Sequence, residues 1–225
     1  MSDINAVQNQ TPLALRDYTL IFDKSTSMGT VDIANGPSRW KIAGELAEGV
    51  GRKVCPLDPD GVDIRLFSTP DPDRPDKHYY PNSTVEKIKQ IFSEVEPFGT
   101  TGLAEVLKTE LDSFFVQRDS GRMKLNGRMI IVFTDGDADN KPAVKKVLVD
   151  ASHRLRSNDK LTLVIFPIGS DPSLAQFLNE LDTDLVQKNG AARDFVEIMK
   201  MKDVEQQGLN QVLMNCLAKE PRTTY

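Results

Sequence analysis

Short apolar runs alternate along the chain with longer segments whose apolar residues recur at helical spacing. The apolar runs predict six strands, at about 17–22, 61–67, 77–80, 128–134, 161–168 and 194–199. The helical patterns predict six helices, at about 39–54, 85–95, 103–115, 142–155, 174–181 and 204–217. Strands that alternate with helices in this way favour right-handed crossovers. The prediction is therefore a Rossmann-like, doubly wound α/β fold with a mostly parallel sheet and helices on both faces.

Local signals refine this prediction at a few positions. Ser38 is predicted to cap the first long helix, and either Ser83 or Thr84 the second. Pro81 should interrupt a strand ladder, so 77–80 is predicted to be a short antiparallel edge strand. The chain shows no internal repeat and no interdomain linker. We therefore expect a disordered segment at 1–14, a single domain at 15–218 and a flexible tail at 219–225.

Composition narrows the classes of function. The chain has 225 residues and a net charge of −5, which disfavours binding to nucleic acid or to an anionic membrane surface. No apolar run approaches the roughly 20 residues of a membrane span, and the first ten residues do not have the pattern of a signal peptide. Cys55 and Cys216 lie far apart in predicted helices, which suits a cytoplasmic protein with two thiols. If those helices pack side by side, a disulfide between the two cysteines stays an alternative.

Candidate chemistry is concentrated in three loops. Asp23-Lys24-Ser25-Thr26-Ser27 follows the first strand directly, and Thr134-Asp135-Gly136 follows the strand at 128–134. Gly99-Thr100-Thr101-Gly102 opens a helix. A parallel sheet would bring these loops to one rim, where carboxylate and hydroxyl oxygens suit Mg²⁺ or Ca²⁺. Taken alone, the first loop is equally consistent with a Ser-rich turn that caps a helix.

Together these three loops resemble the metal-ion-dependent adhesion site of von Willebrand factor A domains. The resemblance implies that Asp23 holds the metal mainly through water and that Ser25 and Ser27 are direct ligands. It further implies that Thr101 coordinates directly or through water, and that Asp135 is the second acid. Thr100 competes with Thr101 for its role, although Thr101-Gly102-Leu103 fits the family's helix start better. The expected ion is Mg²⁺, with Ca²⁺ and Mn²⁺ as alternatives.

The same resemblance implies a protein-binding module without catalytic activity, whose partner supplies an Asp or Glu carboxylate to the metal. Prokaryotic stand-alone A domains of the cytosol are the most similar members. They suggest an adaptor in an assembly with an AAA+ ATPase or with stress-response proteins. Two alternatives stay open: a Mg²⁺-dependent phosphohydrolase using Asp23 and Asp135, and a metal that only holds the loops together.

The acidic run after the fourth strand, Asp135 to Asn140, also resembles a calcium-binding loop. A helix–loop–helix calcium site needs Gly at position 6 and Glu at position 12, where this chain has Asn140 and Lys146. The preceding segment is also a strand. We therefore interpret Asp137 and Asp139 as residues of the adhesion-site rim or of a solvated turn.

Overall fold

One mixed six-stranded sheet organises the chain. The computed structural model describes residues 12–68, 78–136, 140–169 and 172–218. The strands are β1 (Asp17–Asp23), β2 (Val62–Phe67), β3 (Tyr79–Ser83), β4 (Arg128–Thr134), β5 (Leu161–Pro167) and β6 (Val196–Ile198). Their order in the sheet is β3-β2-β1-β4-β5-β6, and every pairing is parallel except that of β2 with β3. The predicted doubly wound α/β fold is confirmed.

Helices cover both faces of this sheet. They are α1 (Arg39–Val54), α2 (Val85–Glu94), α3 (Leu103–Asp119), α4 (Lys141–Arg154), α5 (Pro172–Asn179), α6 (Leu185–Gln187), α7 (Met201–Gln207) and α8 (Leu209–Ala218). A π-helical turn, Glu180–Asp184, joins α5 to α6. The side chains of Ser38 and Thr84 accept hydrogen bonds from the backbone N–H groups of Lys41 and Lys87, so both predicted caps are present.

Strand β1 is central because it is buried on both faces. Leu20 and Phe22 belong to the core beneath α1, α2 and α8, whereas Ile21 belongs to the core beneath α3 and α4. Successive side chains of a strand point to opposite faces, so a nearly continuous apolar sequence is what such a strand requires. Burial on both sides explains why β1 was predictable from an apolar run alone.

An aromatic stack fixes the carboxyl ends of the three central strands. The Phe22 and Phe133 rings lie 4.8 Å apart, and the Phe133 and Phe166 rings lie 5.4 Å apart, with both pairs stacked. Phe92 of α2 packs edge-on against Phe22 at 5.0 Å. Such ring contacts stabilise the fold by more than the burial of their apolar area alone, and they restrict the backbone that carries the rings. The residue that follows Phe22 is Asp23, so this stack positions the first predicted metal ligand.

Three predictions about elements need correction. The predicted helix 204–217 is two helices, because Gly208 adopts a positive φ of 78° and ends α7. The edge strand β3 continues past Pro81 to Ser83, which an edge position permits since one side of the strand needs no ladder donor. The packed chain also begins before residue 15, since Leu13 is buried in the core.

Other predictions fall outside the described residues. These are the structure of 1–11 and of the tail 219–225, and the roles of Asp137 and Asp139. Cys55 and Cys216 are not joined by a disulfide, and Cys55 lies in a short 3₁₀ turn rather than in α1. Among the described helices, none combines the length and apolar character that a membrane crossing requires.

A buried ion network ties α3 to the sheet. The Glu110 carboxylate accepts hydrogen bonds from Arg128 Nη1 at 2.6 Å, from Arg65 Nε at 2.5 Å and from the Thr19 hydroxyl at 2.9 Å. The side chains of Glu110 and Arg128 are only 1% and 3% exposed. Removing one partner of such a pair leaves an uncompensated charge in a low-dielectric interior.

We therefore predict that Glu110→Ala lowers the free energy of unfolding by about 3–5 kcal/mol, because Arg128 stays buried without its carboxylate. Urea denaturation followed by circular dichroism measures this change. The matched control is Asp150→Ala, which breaks an exposed pair with Lys146 and should cost less than about 1 kcal/mol. Equal losses of unfolding free energy in the two variants would contradict the proposed contribution of the buried network to stability.

Candidate metal centre

The candidate site lies where the order of the strands reverses. Strand β1 pairs with β2 on one side and with β4 on the other, so the loops after β1 and β4 leave neighbouring strand ends in different directions. Open α/β sheets bind ligands in the crevice at this point. Asp23 ends β1 and Asp135 follows β4, so the fold brings two carboxylates predicted from sequence to the same crevice.

Asp23 is a fully buried carboxylate whose described hydrogen bonds come from neutral donors. Its Oδ1 accepts the backbone N–H of Ser25 at 2.9 Å, and its Oδ2 accepts the Thr134 hydroxyl at 2.7 Å. The pKa of Asp23 is raised to about 6. Burial is the main cause; hydrogen bonds from Ser25 and Thr134 oppose the rise, and the nearby charge of Asp135 adds to it. A buried carboxylate in this environment gains from a cation beside it.

The two predicted serine ligands lie against each other. After Asp23 the chain turns into a short 3₁₀ helix, Thr26–Gly29, and this turn returns Ser27 toward Ser25. The two hydroxyl oxygens are 2.9 Å apart and share one hydrogen bond. A hydroxyl pair this close can present two neutral oxygens to one small cation, which is the donor type that Mg²⁺ and Mn²⁺ accept.

The third loop is joined to the first by backbone contacts. The Phe98 N–H donates to the Lys24 carbonyl at 2.6 Å, and the Thr26 N–H donates to the Gly99 carbonyl at 2.9 Å. The Thr26 hydroxyl also accepts the Gly99 N–H at 3.0 Å. These bonds hold the start of the Gly99–Gly102 loop against the Asp23 loop, as the predicted convergence requires.

The two candidate threonines of the third loop differ in burial. Thr101 is 5% exposed, whereas Thr100 is exposed. A buried hydroxyl at the start of α3 is the better placed of the two to be a fixed ligand, which agrees with the preference for Thr101. It stays a prediction that one metal ion is bound by all five candidate residues: Asp23, Ser25, Ser27, Thr101 and Asp135. The structure places all five on three adjoining loops.

Two residues at the site were not predicted as site residues. Thr134 is completely buried; its hydroxyl donates to Asp23 and accepts the Gly136 N–H at 2.9 Å. Arg39, the first residue of α1, donates from Nη1 to Asp135 Oδ2 at 3.0 Å. Thr134 could have been inferred from the Thr-Asp-Gly sequence. Arg39 has a weaker signal: a cation in the first turn of a helix is opposed by the helix dipole and so needs another partner.

This donor set fits a hydrated divalent cation. Two carboxylates and three hydroxyls offer hard oxygen atoms, and the two acids balance a charge of +2 without excess. A metal bound by so few charged ligands keeps positive charge available for a further oxygen from outside. The residues that would hold the ion are the five named above, with Thr134 orienting the Asp23 carboxylate.

A second acidic cluster lies at the other end of β1 and has a different character. Carboxylate oxygens of Asp17, Asp58 and Asp60 lie within 4.8 Å of one another. The Lys124 ammonium contacts all three, at 3.1 Å for Asp17, at 2.5 Å for Asp60 and at short range for Asp58. Strand β1 separates this cluster from Asp23 by roughly 20 Å. One ammonium offsets part of the charge of these three carboxylates, and the cluster does not belong to the candidate metal centre.

A scan against protein-family models and a search of curated proteins both return no match. Solved structures with the same fold include proximal thread matrix protein 1 from the mussel byssus, at 15% identity and TM-score 0.53. Its form with a zinc-occupied MIDAS motif matches at 15% and 0.55. Each match covers 90% of this chain and 48% of the mussel chain, so this chain spans about half of the mussel protein's length.

Manganese-loaded TRAP protein of Plasmodium vivax is also similar, at 16% identity and TM-score 0.52. That match covers 94% of this chain and 76% of the other. The likeness establishes that the chain has the von Willebrand factor A fold. Two of these relatives carry divalent metals, manganese in one and zinc in a MIDAS motif in the other.

The buried Asp23 predicts a pH-dependent affinity for metal. Because its pKa is raised to about 6, protons compete with a cation below that pH. We expect affinity for Mn²⁺, measured by isothermal titration calorimetry, to be level above about pH 7. Below pH 6 it should fall by up to about tenfold per pH unit. Thr134→Val removes a hydrogen bond that lowers this pKa, so it should move the fall to higher pH.

In the metal-free protein, the contribution of Asp23 to folding stability should change with pH in the opposite direction to the metal affinity. The folded state takes up the Asp23 proton at higher pH than the unfolded state, so this contribution stabilises the fold as the pH decreases through about 6 and is lost as the pH rises. Melting in EDTA with wild type and Asp23→Asn isolates the contribution. A Mn²⁺ affinity unchanged between pH 7 and pH 5 would contradict the role of Asp23.

Proposed function

We propose that this chain is a metal-dependent protein-interaction module. Asp23, Ser25, Ser27, Thr101 and Asp135 hold a divalent cation, Mg²⁺ in the cell, and a carboxylate of a partner's Asp or Glu completes its coordination. The recognition is charge-assisted and directional, because a metal-bound carboxylate must approach along the open coordination position. The protein performs no catalytic step in this role.

The observation that carries this proposal is the burial of Asp23 next to Asp135 at the strand-order switch point. Asp23 is 0% exposed, and its described partners are neutral donors. A buried charge is costly unless a counter-charge or a metal compensates it. Burial and the neighbouring Asp135 both oppose the charged form of Asp23, and carboxylates perturbed in this way are frequent at functional sites.

The rim of the site supports a protein partner rather than a small ion alone. Ile33, Phe98 and Val31 are 75%, 54% and 49% exposed, and they lie on the loops that flank Asp23 and Arg39. Single exposed apolar residues are ordinary, but these three are at the same end of the sheet as the candidate ligands. A partner segment with an acidic residue flanked by apolar side chains is complementary to such a rim.

The proposed cellular setting is the cytoplasm. Two cysteines that form no disulfide with each other, together with the composition, favour the cytoplasm, where Mg²⁺ is abundant. An adaptor role in an assembly with an AAA+ ATPase or stress-response proteins follows from family resemblance alone.

Affinity capture tests the proposal. Wild-type protein immobilised in a buffer that contains an excess of Mg²⁺ should retain a partner from the native lysate. EDTA should release that partner, and added Mg²⁺ should restore it. Asp23→Ala and Ser25→Ala should retain about tenfold less or none, because each removes an oxygen ligand. Asp150→Ala, on the exposed side of α4, is the matched control and should retain the wild-type amount.

Other outcomes distinguish the alternatives. Capture that ignores EDTA and both site variants overturns the proposal. Steady hydrolysis of p-nitrophenyl phosphate with Mg²⁺, lost in Asp23→Asn, would identify the phosphohydrolase. A large fall in melting temperature with EDTA, with the same proteins captured, would identify a metal that only holds the loops together.

The apolar rim gives a separate prediction. Phe98→Ser and Ile33→Ser should each weaken partner capture about tenfold, because each removes roughly 1.4 kcal/mol of apolar contact. Neither should change Mn²⁺ affinity, because neither side chain is a ligand. Leu125→Ser is the matched control: Leu125 is 73% exposed, but it lies beside Lys124 at the other end of β1. Equal effects of all three variants would exclude this rim as the contact surface.

A further inference from the structure

Arg39 occupies a built position between two acids at the candidate metal centre. Its Nε and Nη2 donate to the Asp32 carboxylate at distances of 2.7–3.2 Å, and its Nη1 donates to Asp135 Oδ2 at 3.0 Å. The Arg39 side chain is 16% exposed and that of Asp135 is 0% exposed. The planar guanidinium thus bridges the loop before α1 to the loop after β4 with defined geometry.

Two neighbouring features define the position of the Arg39 guanidinium. Gly169, which follows β5, has a φ of 90°, and a Cβ there would approach Arg39 Nε to 2.8 Å. The absence of a side chain at Gly169 therefore leaves the space that the guanidinium uses. Arg39 also begins α1, where the helix dipole opposes a cation, so the two carboxylates must compensate for an unfavourable location.

We propose that Arg39 is a built-in counter-cation of Asp135, which weakens the site's hold on its divalent ion and leaves more of that ion's charge for the partner. This inference rests on the proposed function. A metal ligand that already shares its charge with a guanidinium neutralises a bound cation less completely. Arg39 is therefore a positioning and charge-setting residue rather than a ligand.

The proposal predicts opposite changes in two affinities. Removing the positive charge should strengthen metal binding, because a fixed cation near the ion repels it. The same change should weaken capture of an acidic partner, because Asp135 then neutralises the ion more fully. A purely structural role predicts otherwise: loss of a residue that only holds Asp135 in place would weaken metal binding and partner capture together.

The experiment measures Mn²⁺ binding to the full chain by isothermal titration calorimetry, with no partner present. Arg39→Gln should bind Mn²⁺ about tenfold more tightly than wild type at low ionic strength, and the gain should shrink in high salt. Arg39→Lys keeps the charge and should stay within about twofold of wild type. Arg39→Met, which keeps the apolar stem, replaces Arg39→Gln if thermal melting in EDTA shows that the latter does not fold.

The outcomes separate this inference from the proposed function. Unchanged or weaker Mn²⁺ binding by Arg39→Gln and Arg39→Met, or an equal gain in Arg39→Lys, overturns the counter-cation role. Equal Mn²⁺ binding by wild type and Asp23→Ala would instead overturn the metal site itself. Tighter Mn²⁺ binding with weaker partner capture in Arg39→Gln supports both.

Discussion

The burial of the Asp23 carboxylate is the constraint on which the site depends. Asp23 ends a strand that is covered on both faces, and the aromatic stack of Phe22, Phe133 and Phe166 lies just behind it. The backbone cannot carry the carboxylate out to solvent without disturbing that stack. Its charge must therefore be balanced locally, and the described donors to it are a backbone N–H and the Thr134 hydroxyl. Under the proposed function, the neighbouring hydroxyls and Asp135 enclose a cation that supplies this balance.

The two ends of β1 illustrate two solutions to the same electrostatic problem. At the amino end, the Lys124 ammonium contacts Asp17, Asp58 and Asp60, so the protein supplies its own counter-charge. At the carboxyl end, Arg39 balances Asp135 in part, while Asp23 has only neutral donors among the described residues. The amino end thus has an internal cation in contact with each of its carboxylates, whereas the described hydrogen bonds to Asp23 come from neutral groups. Under the proposed function, a metal supplies the counter-charge to Asp23.

Much of the fold could be predicted because local patterns reflect burial directly. Strands buried on both faces must be apolar throughout, and caps such as Ser38 and Thr84 act within three residues. The break at Gly208 was missed because apolar residues keep helical spacing across α7 and α8. Only the backbone conformation of that glycine separates the two helices.

The candidate site was predictable to the level of its loops but not of its supporting contacts. The loops carry oxygen ligands at the ends of predicted strands, and sheet topology gathers them. The bonds of Thr134 to Asp23 and of Arg39 to Asp135 join residues 111 and 96 positions apart. Contacts at such separations leave no periodic trace in a single sequence, so their discovery requires coordinates.

The Asp32–Arg39–Asp135 chain connects specificity with metal affinity. Asp32 lies between Val31 and Ile33, two apolar residues of the exposed rim, and its carboxylate orients the guanidinium that contacts Asp135. Under the proposed function, a partner that packs on this rim contacts the loop that sets the charge at the metal. Thermodynamic linkage then requires the metal to favour the partner by the same factor by which the partner favours the metal. Arg39 thus bridges the rim loop to a candidate metal ligand, and under the proposed function the two belong to one recognition surface.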